Sequence, residues 1–238
     1  MSNPFSYIER DDVIAALSTA PGTGAIAVIR VSGAACLSLV HLVFKGMNPK
    51  TDIREAGGYT IHHGFIMDGE NIADEVLLSI FRAPHSFTGE DVVEISVHGS
   101  PYIQKRVLEL LVENGARLAK PGEFTMRAFL HGKYDLSQAE AIADLIASNS
   151  RSSHDLALQQ MRGGYSKKIS ALRQQLVDLA GLFELELDFS EEDVEFADRT
   201  RFHEVIHTLK EEISRLLASF SMGNVLKHGI PVAIIGSP

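Results

Sequence analysis

The sequence predicts an α+β protein: a mixed α/β part followed by an all-α helical-bundle part. Two observations carry this. From residue 12 to residue 118, short runs of alternating apolar and polar residues are broken by Gly, Pro, Asn and Asp. Beyond Pro121 the apolar period changes to 3.6 and persists over most of the remaining chain. With 238 residues, 45% of them hydrophobic and 22% charged, the chain has enough apolar material for one or two cores.

Residues 12–18 and 24–31 read as strands joined by the turn PGTG (21–24), and a helix follows over 34–44. Segments 58–67 and 73–82 read as two strands joined through Asp68, Gly69 and Asn71. In DVVEISV (91–97), Val93, Ile95 and Val97 face one way, and Glu94 and Ser96 the other. Gly99 and Ser100 stop that strand. Ser100 is a suitable N-cap with Pro101 at the first helical position. The stripe Ile103, Val107, Leu110 and Leu111 defines the helix, and Asn114-Gly115 ends it.

Met126, Phe129 and Leu130 suit one short helix, and Ser137 with Glu140 reads as the capping box of a second. Leu158, Met161, Tyr165, Ile169, Leu172, Leu176, Leu179 and Phe183 step by three or four along one long helix. Gly163-Gly164 inside it weakens it by roughly 1 kcal/mol per glycine. A last stripe runs from Phe202 through Val205, Ile206, Leu209, Ile213 and Leu216 to Phe220. Val232 to Ile235 reads as a buried strand running into Gly236, as a phosphate-binding loop begins, with no Gly-Lys-Ser/Thr after it. The expected parts are therefore 1–118, 119–229 and 230–238.

The net charge of −9 argues against a surface that coats nucleic acid, but leaves room for a local patch. Arg162, Lys167, Lys168 and Arg173 are candidates for one, although a solvated helix face explains them as well. Residues 184–198 hold eight carboxylates and no Lys or Arg, and read as a solvated helix end and loop. The single cysteine, Cys36, excludes an intrachain disulfide and suits a reducing compartment. No apolar run approaches the ~20 residues that span a bilayer. The start MSNPFSYIERDD lacks the layout of a signal peptide. A cytoplasmic protein is expected, with no membrane partner.

Three charges stand out as candidates for chemistry. Arg30 lies on a strand with Ile26 and Val28, and Glu94 lies opposite three apolar neighbours. A charge on a half-buried strand is paired or meets a ligand, so Arg30 and Glu94 either satisfy each other or form a polar site. Lys133 sits at the break between two helical patterns and could approach that site. A carboxylate there can accept two parallel N–H bonds from a flat heterocycle with an amidine-like edge, while Arg and Lys suit a ligand's carboxylates. The match HEVIH (203–207) to a zinc-protease pattern is set aside, because Phe202, Val205, Ile206 and Leu209 already commit that helix to packing; no metal ligands are assigned. His62 and His63 face opposite ways, His98 reads as a strand-end residue, and Cys36 reads as packing.

The segments PGTGAIAVIRVSG (21–33), HSFTGEDVVEISVHGSP (85–101) and AKPGEFTMRAFLHGKYDLSQAEAIADLI (119–146) resemble the bacterial and organellar tRNA-modification GTPase family called MnmE or TrmE. LKHGIPVAIIGSP (226–238) resembles that family's entry into its inserted GTPase domain, and the resemblance covers essentially the whole chain. It implies an N-terminal domain similar to the tetrahydrofolate-binding domain of aminomethyltransferases, which also forms a homodimer, and then a helical domain. It implies a 5-formyl- or 5,10-methylene-tetrahydrofolate contacted by Arg30, Glu94 and Lys133, with Gly236 opening an incomplete phosphate loop. It implies a flavin-dependent partner protein, and an aminomethyl or carboxymethylaminomethyl group added to C5 of the wobble uridine of tRNA. GTP, Mg2+ and K+ are expected only with the GTPase domain, so the chain reads as part of a longer protein. The competing readings are a stand-alone folate-binding protein of the aminomethyltransferase type and a dimerisation scaffold without a ligand.

Overall fold

A computed structural model describes residues 12–49, 52–188, 199–228 and Gly236. The chain divides into two compact units, Met1–Tyr134 and Asp135–Pro238. The sequence pattern puts the change at 118/119; the structure puts it after Tyr134. Residues 119–134 stay with the first unit because a buried arginine on their helix is tied to the sheet, as set out below.

The first unit runs β1 (Ile14–Leu17), β2 (Ile26–Ser32), α1 (Cys36–Val43), β3 (Phe44–Gly46), β4 (Thr60–Asp68), β5 (Asn71–Phe81), β6 (Val92–His98), α2 (Pro101–Glu113), β7 (Arg117–Leu118) and α3 (Glu123–Leu130). Among the described residues the strands form one seven-stranded sheet in the order β3-β4-β5-β6-β2-β1-β7. All pairings are antiparallel except β1 with β7. The edge strands β3 and β7 are too short to show an alternation, which is why the sequence pattern misses them.

The side-chain period of two gives this sheet two unlike faces. On one, Ile29, Val31, Leu78, Ile80, Val93 and Ile95 are buried beneath Leu37 and Val40 of α1 and Val107 and Leu111 of α2. Each such side chain contributes about 1.5–3 kcal/mol by leaving water. The other face carries Arg30 and Glu94. It leaves Ile26 and Ile61 each 68% exposed and Leu77 48% exposed. Ser100 occupies the N-cap of α2 with Pro101 following, but its side chain makes no capping bond.

The second unit holds α4 (Leu136–Ala147), α5 (Arg151–Met161), α6 (Gly164–Asp188) and α7 (Arg199–His228). Two expectations need correction. The capping box of α4 is Asp135 with Gln138, not Ser137 with Glu140. Asp135 Oδ1 accepts the Gln138 N–H at 2.9 Å, and Gln138 Oε1 accepts the Asp135 N–H at 3.0 Å. Ser137 therefore falls inside the first turn. The expected long helix over 158–183 is two helices, because Gly163 adopts φ +77° between them and ends α5 as a left-handed glycine does. Ser150 and Ser153 form the capping box that starts α5.

Leu179 and Leu209 are buried, whereas Ile169, Leu176, Ile213 and Leu217 remain exposed. The helical unit thus presents apolar side chains to solvent. Among the described residues no helix is long and apolar enough to cross a membrane. The acidic run lies outside the described residues over 189–198, as does the strand expected over 232–235.

Cys36 is fully buried under the sheet, and its thiol donates to the Asp91 carbonyl at 3.2 Å. Burial, then the nearby Asp91 and Glu90 charges, push its pKa up to about 12. The thiolate is the reactive form. A thiol reagent at neutral pH should therefore leave Cys36 unmodified in the native protein. It should label one thiol per chain in denaturant, as read by absorbance or mass.

Candidate functional site

Arg30 on β2 stands directly opposite Glu94 on β6, and Glu94 is also opposite Ser79 on β5. Arg30 donates from Nε at 2.9 Å and from Nη2 at 2.7 Å, both to Glu94 Oε1. Among the described residues Oε2 accepts no hydrogen bond. The pair is half-buried, with side chains 23% and 27% exposed. The guanidinium carbon of Arg30 lies 4.8 Å from the Phe87 ring centroid and 5.6 Å from that of Phe124. Phe87 in turn lies 6.1 Å from Tyr134. One carboxylate, one planar cation and three aromatic rings thus gather at one end of the otherwise open sheet face.

Lys133 is brought to the same loop but not onto the pair. Its Nζ donates to the Pro84 carbonyl at 2.9 Å, and its link to Arg30 runs through the adjacent Tyr134 and Phe87. The loop over 82–91 lies close to this residue. Gly89 has φ +83°, and a Cβ there would meet His131 Cβ at 2.9 Å and Lys133 Cγ at 3.4 Å. Only glycine fits that position.

The loop and α3 are held by a buried ion network that the sequence pattern does not reveal. Arg127 of α3 is 2% exposed and ion-pairs with Asp12, with Glu90 at 3.1 Å and with Glu123 at 3.6 Å. It also donates to the Asp12 carbonyl at 2.9 Å. Arg117 of β7 joins Asp12 at 2.7 Å and Glu123 at 2.6 Å. Ser32 of β2 donates to Glu90 at 2.7 Å and shares a 2.8 Å bond with Thr88. Two arginines and three carboxylates therefore clamp α3, β1, β7 and the loop together. Among the described residues, Arg127 Nε is the one buried side-chain nitrogen or oxygen without a hydrogen-bond partner. The available signal was Glu123 and Arg127 spaced i,i+4 in EFTMRAFL, with Arg127 amid an apolar pattern.

Other sequence candidates fall elsewhere. His98 is paired: buried Asp74 accepts its backbone N–H at 2.8 Å and lies 2.6 Å from its Nδ1. His62 bonds Thr60, and His63 bonds Glu75. His207 is 73% exposed beside Glu211. Among the described residues no group of three His, Cys, Asp or Glu is placed to hold a metal. Gly236 is exposed, and its neighbours lie outside the described residues. A groove of about 550 Å3 lies between α2 and the β1–β7 edge, lined by Leu17, Leu108, Val112 and Leu118 rather than by Arg30, Glu94 or Lys133.

Fold and site together define an α+β protein whose sheet domain carries a small polar and aromatic site and is followed by a helical domain. Family comparison divides the chain at the same place. Residues 13–133 match the family model described as GTP-binding protein TrmE N-terminus, and residues 136–231 match the MnmE helical domain. The chain belongs to the MnmE (TrmE) family. It is 56% identical to the tRNA modification GTPase MnmE of Flavobacterium johnsoniae over 95% of its length. It is 55% identical to the same-named protein of Christiangramia forsetii over 96%, and 55% to that of Bacteroides fragilis over 94%. In each case it covers 48% of the relative, so the chain spans about half the length of the curated relatives it matches.

Two tests follow from the clamp. Arg127→Met leaves buried carboxylates uncompensated and should cost about 3–5 kcal/mol of stability in chemical denaturation. The pKa of Glu123 lies below its usual 4.5: burial opposes this shift, but the hydrogen bonds from Arg117 and the Lys120 N–H outweigh it. A lowered folded pKa means stability that is present above pH 4.5 and lost as pH falls through the folded value. Glu123→Gln should therefore be less stable than the parent at pH 7, and the gap should narrow as denaturation curves are taken below pH 4.

Proposed function

We propose that this chain is the folate-binding and helical portion of a GTP-hydrolysing tRNA-modification protein. The observation that carries the reading is Glu94: a carboxylate on a strand face, with Oε2 unbonded among the described residues, paired to an Arg30 that lies against Phe87 and Phe124. A carboxylate with an accepting oxygen next to aromatic rings fits the flat, donor-rich edge of a pterin. Lys133 and Arg30 supply positive charge for the acidic tail of a 5-formyl- or 5,10-methylene-tetrahydrofolate. Bound there, the folate would supply a one-carbon unit. The residues of this chain bind and orient it.

The remaining parts of the reading rest on family membership. The first unit serves tetrahydrofolate binding and homodimerisation. Residues 230–238, with Gly236, open a GTPase domain that would bring GTP, Mg2+ and K+. A flavin-dependent partner protein acts with it to place an aminomethyl or carboxymethylaminomethyl group on C5 of the wobble uridine of tRNA. The setting is the cytoplasm.

Calorimetric titration with 5-formyltetrahydrofolate tests the central claim. The parent chain should bind. Glu94→Ala and Lys133→Ala should each weaken binding at least about tenfold, the scale of one lost charge-assisted hydrogen bond. Unchanged affinity in both variants overturns the site.

A further inference from the structure

One oxygen of the accepting edge of Glu94, Oε1, is already in use by the protein itself. Arg30 offers it a flat, delocalised group with two adjacent donors, Nε and Nη2, and sets that group against the rings of Phe87 and Phe124. A pterin's amino group and neighbouring ring N–H make the same donor pair on the same kind of flat body. We propose that Arg30 is a removable stand-in for the ligand's heterocycle, and that binding displaces it from Glu94 and from the two rings. Naming the heterocycle a pterin rests on the folate reading; the displacement itself rests on the geometry.

Three observations favour a removable arginine over a fixed one. Both of its bonds converge on a single carboxylate oxygen, short of the two-oxygen fork that Arg106 makes with Asp68. Among the described residues it has one ion-pair partner, and it is 23% exposed, whereas Arg127 is 2% exposed and held by three carboxylates. Its competitor site is built in by register, since Arg30 and Glu94 are direct cross-strand neighbours. Ionic attraction in a half-exposed pair is modest, and a cation against two rings adds a similar amount. A ligand that replaces both interactions can therefore win the position, and the released guanidinium becomes available to an anionic group.

The consequence is a sign that ordinary binding residues do not give. Removing Arg30 should improve binding of a heterocycle that lacks an acidic tail. Fluorescent pterin itself, without tail carboxylates, is titrated into the parent chain, Arg30→Met, Arg30→Lys and the double variant Arg30→Met/Glu94→Gln, with circular dichroism confirming the fold. Arg30→Met should bind pterin about tenfold more tightly than the parent, the scale of the two interactions released. Arg30→Lys, which keeps the charge but not the parallel donors, should gain less, and the double variant should lose the gain. Phe124→Leu in the Arg30→Met background should weaken pterin several-fold. No gain in Arg30→Met, or a gain that survives Glu94→Gln, overturns the proposal. A parallel titration of the parent with 5-formyltetrahydrofolate keeps the two ideas apart. Its failure alongside a pterin gain in Arg30→Met removes folate as the ligand and leaves the displacement standing.

Discussion

The buried guanidinium of Arg127 is the constraint on which the candidate site depends. A charge taken out of water is costly unless carboxylates surround it in good geometry. Asp12, Glu90 and Glu123 do so from just before β1, from the loop before β6 and from α3 itself. Satisfying one arginine therefore fixes three pieces of chain that are distant in sequence. Phe124 rides on that helix, and Phe87 rides on that loop. The network thus fixes the helix and the loop that carry the two rings meeting Arg30.

The sheet supplies the second requirement, an asymmetry between its faces. Strict alternation in β2 and β6 sends Ile29, Val31, Val93 and Ile95 into the core, so Arg30 and Glu94 emerge on the other side. α1 and α2 cover only the core face. A half-buried ion pair on the opposite face keeps enough desolvation to be directional and enough exposure to be exchanged. Arg127 and Arg30 thus mark two uses of the same side chain: among the described residues, one is locked by three carboxylates and the other bonds to a single carboxylate oxygen.

Much of this was legible in the sequence. The strands at 91–97 and 24–31 and the short helix around Met126 follow from period and turn residues alone. The pairing of Arg30 with Glu94 was one of two open readings, and the structure shows the two residues hydrogen-bonded. The misses have local physical causes. Asp135 outcompeted Ser137 as a cap because its carboxylate reaches the Gln138 amide while Gln138 reaches back. Gly163 split a helix that apolar spacing alone would have carried through, because a left-handed residue ends the helix regardless of the stripe. β3 and β7 are too short to carry a period.

The sequence by itself determined the class of the protein, the change from strand to helix periodicity, the family and the three charged candidates. These follow from local spacing and from residues that can be read one segment at a time. Only the tertiary structure decided that α3 belongs with the sheet, that Lys133 reaches the Pro84 carbonyl rather than Glu94, and that Phe87, Phe124 and Tyr134 gather around Arg30. The reason is that each of these depends on contacts between segments more than thirty residues apart. No local pattern encodes which buried carboxylate will meet which arginine.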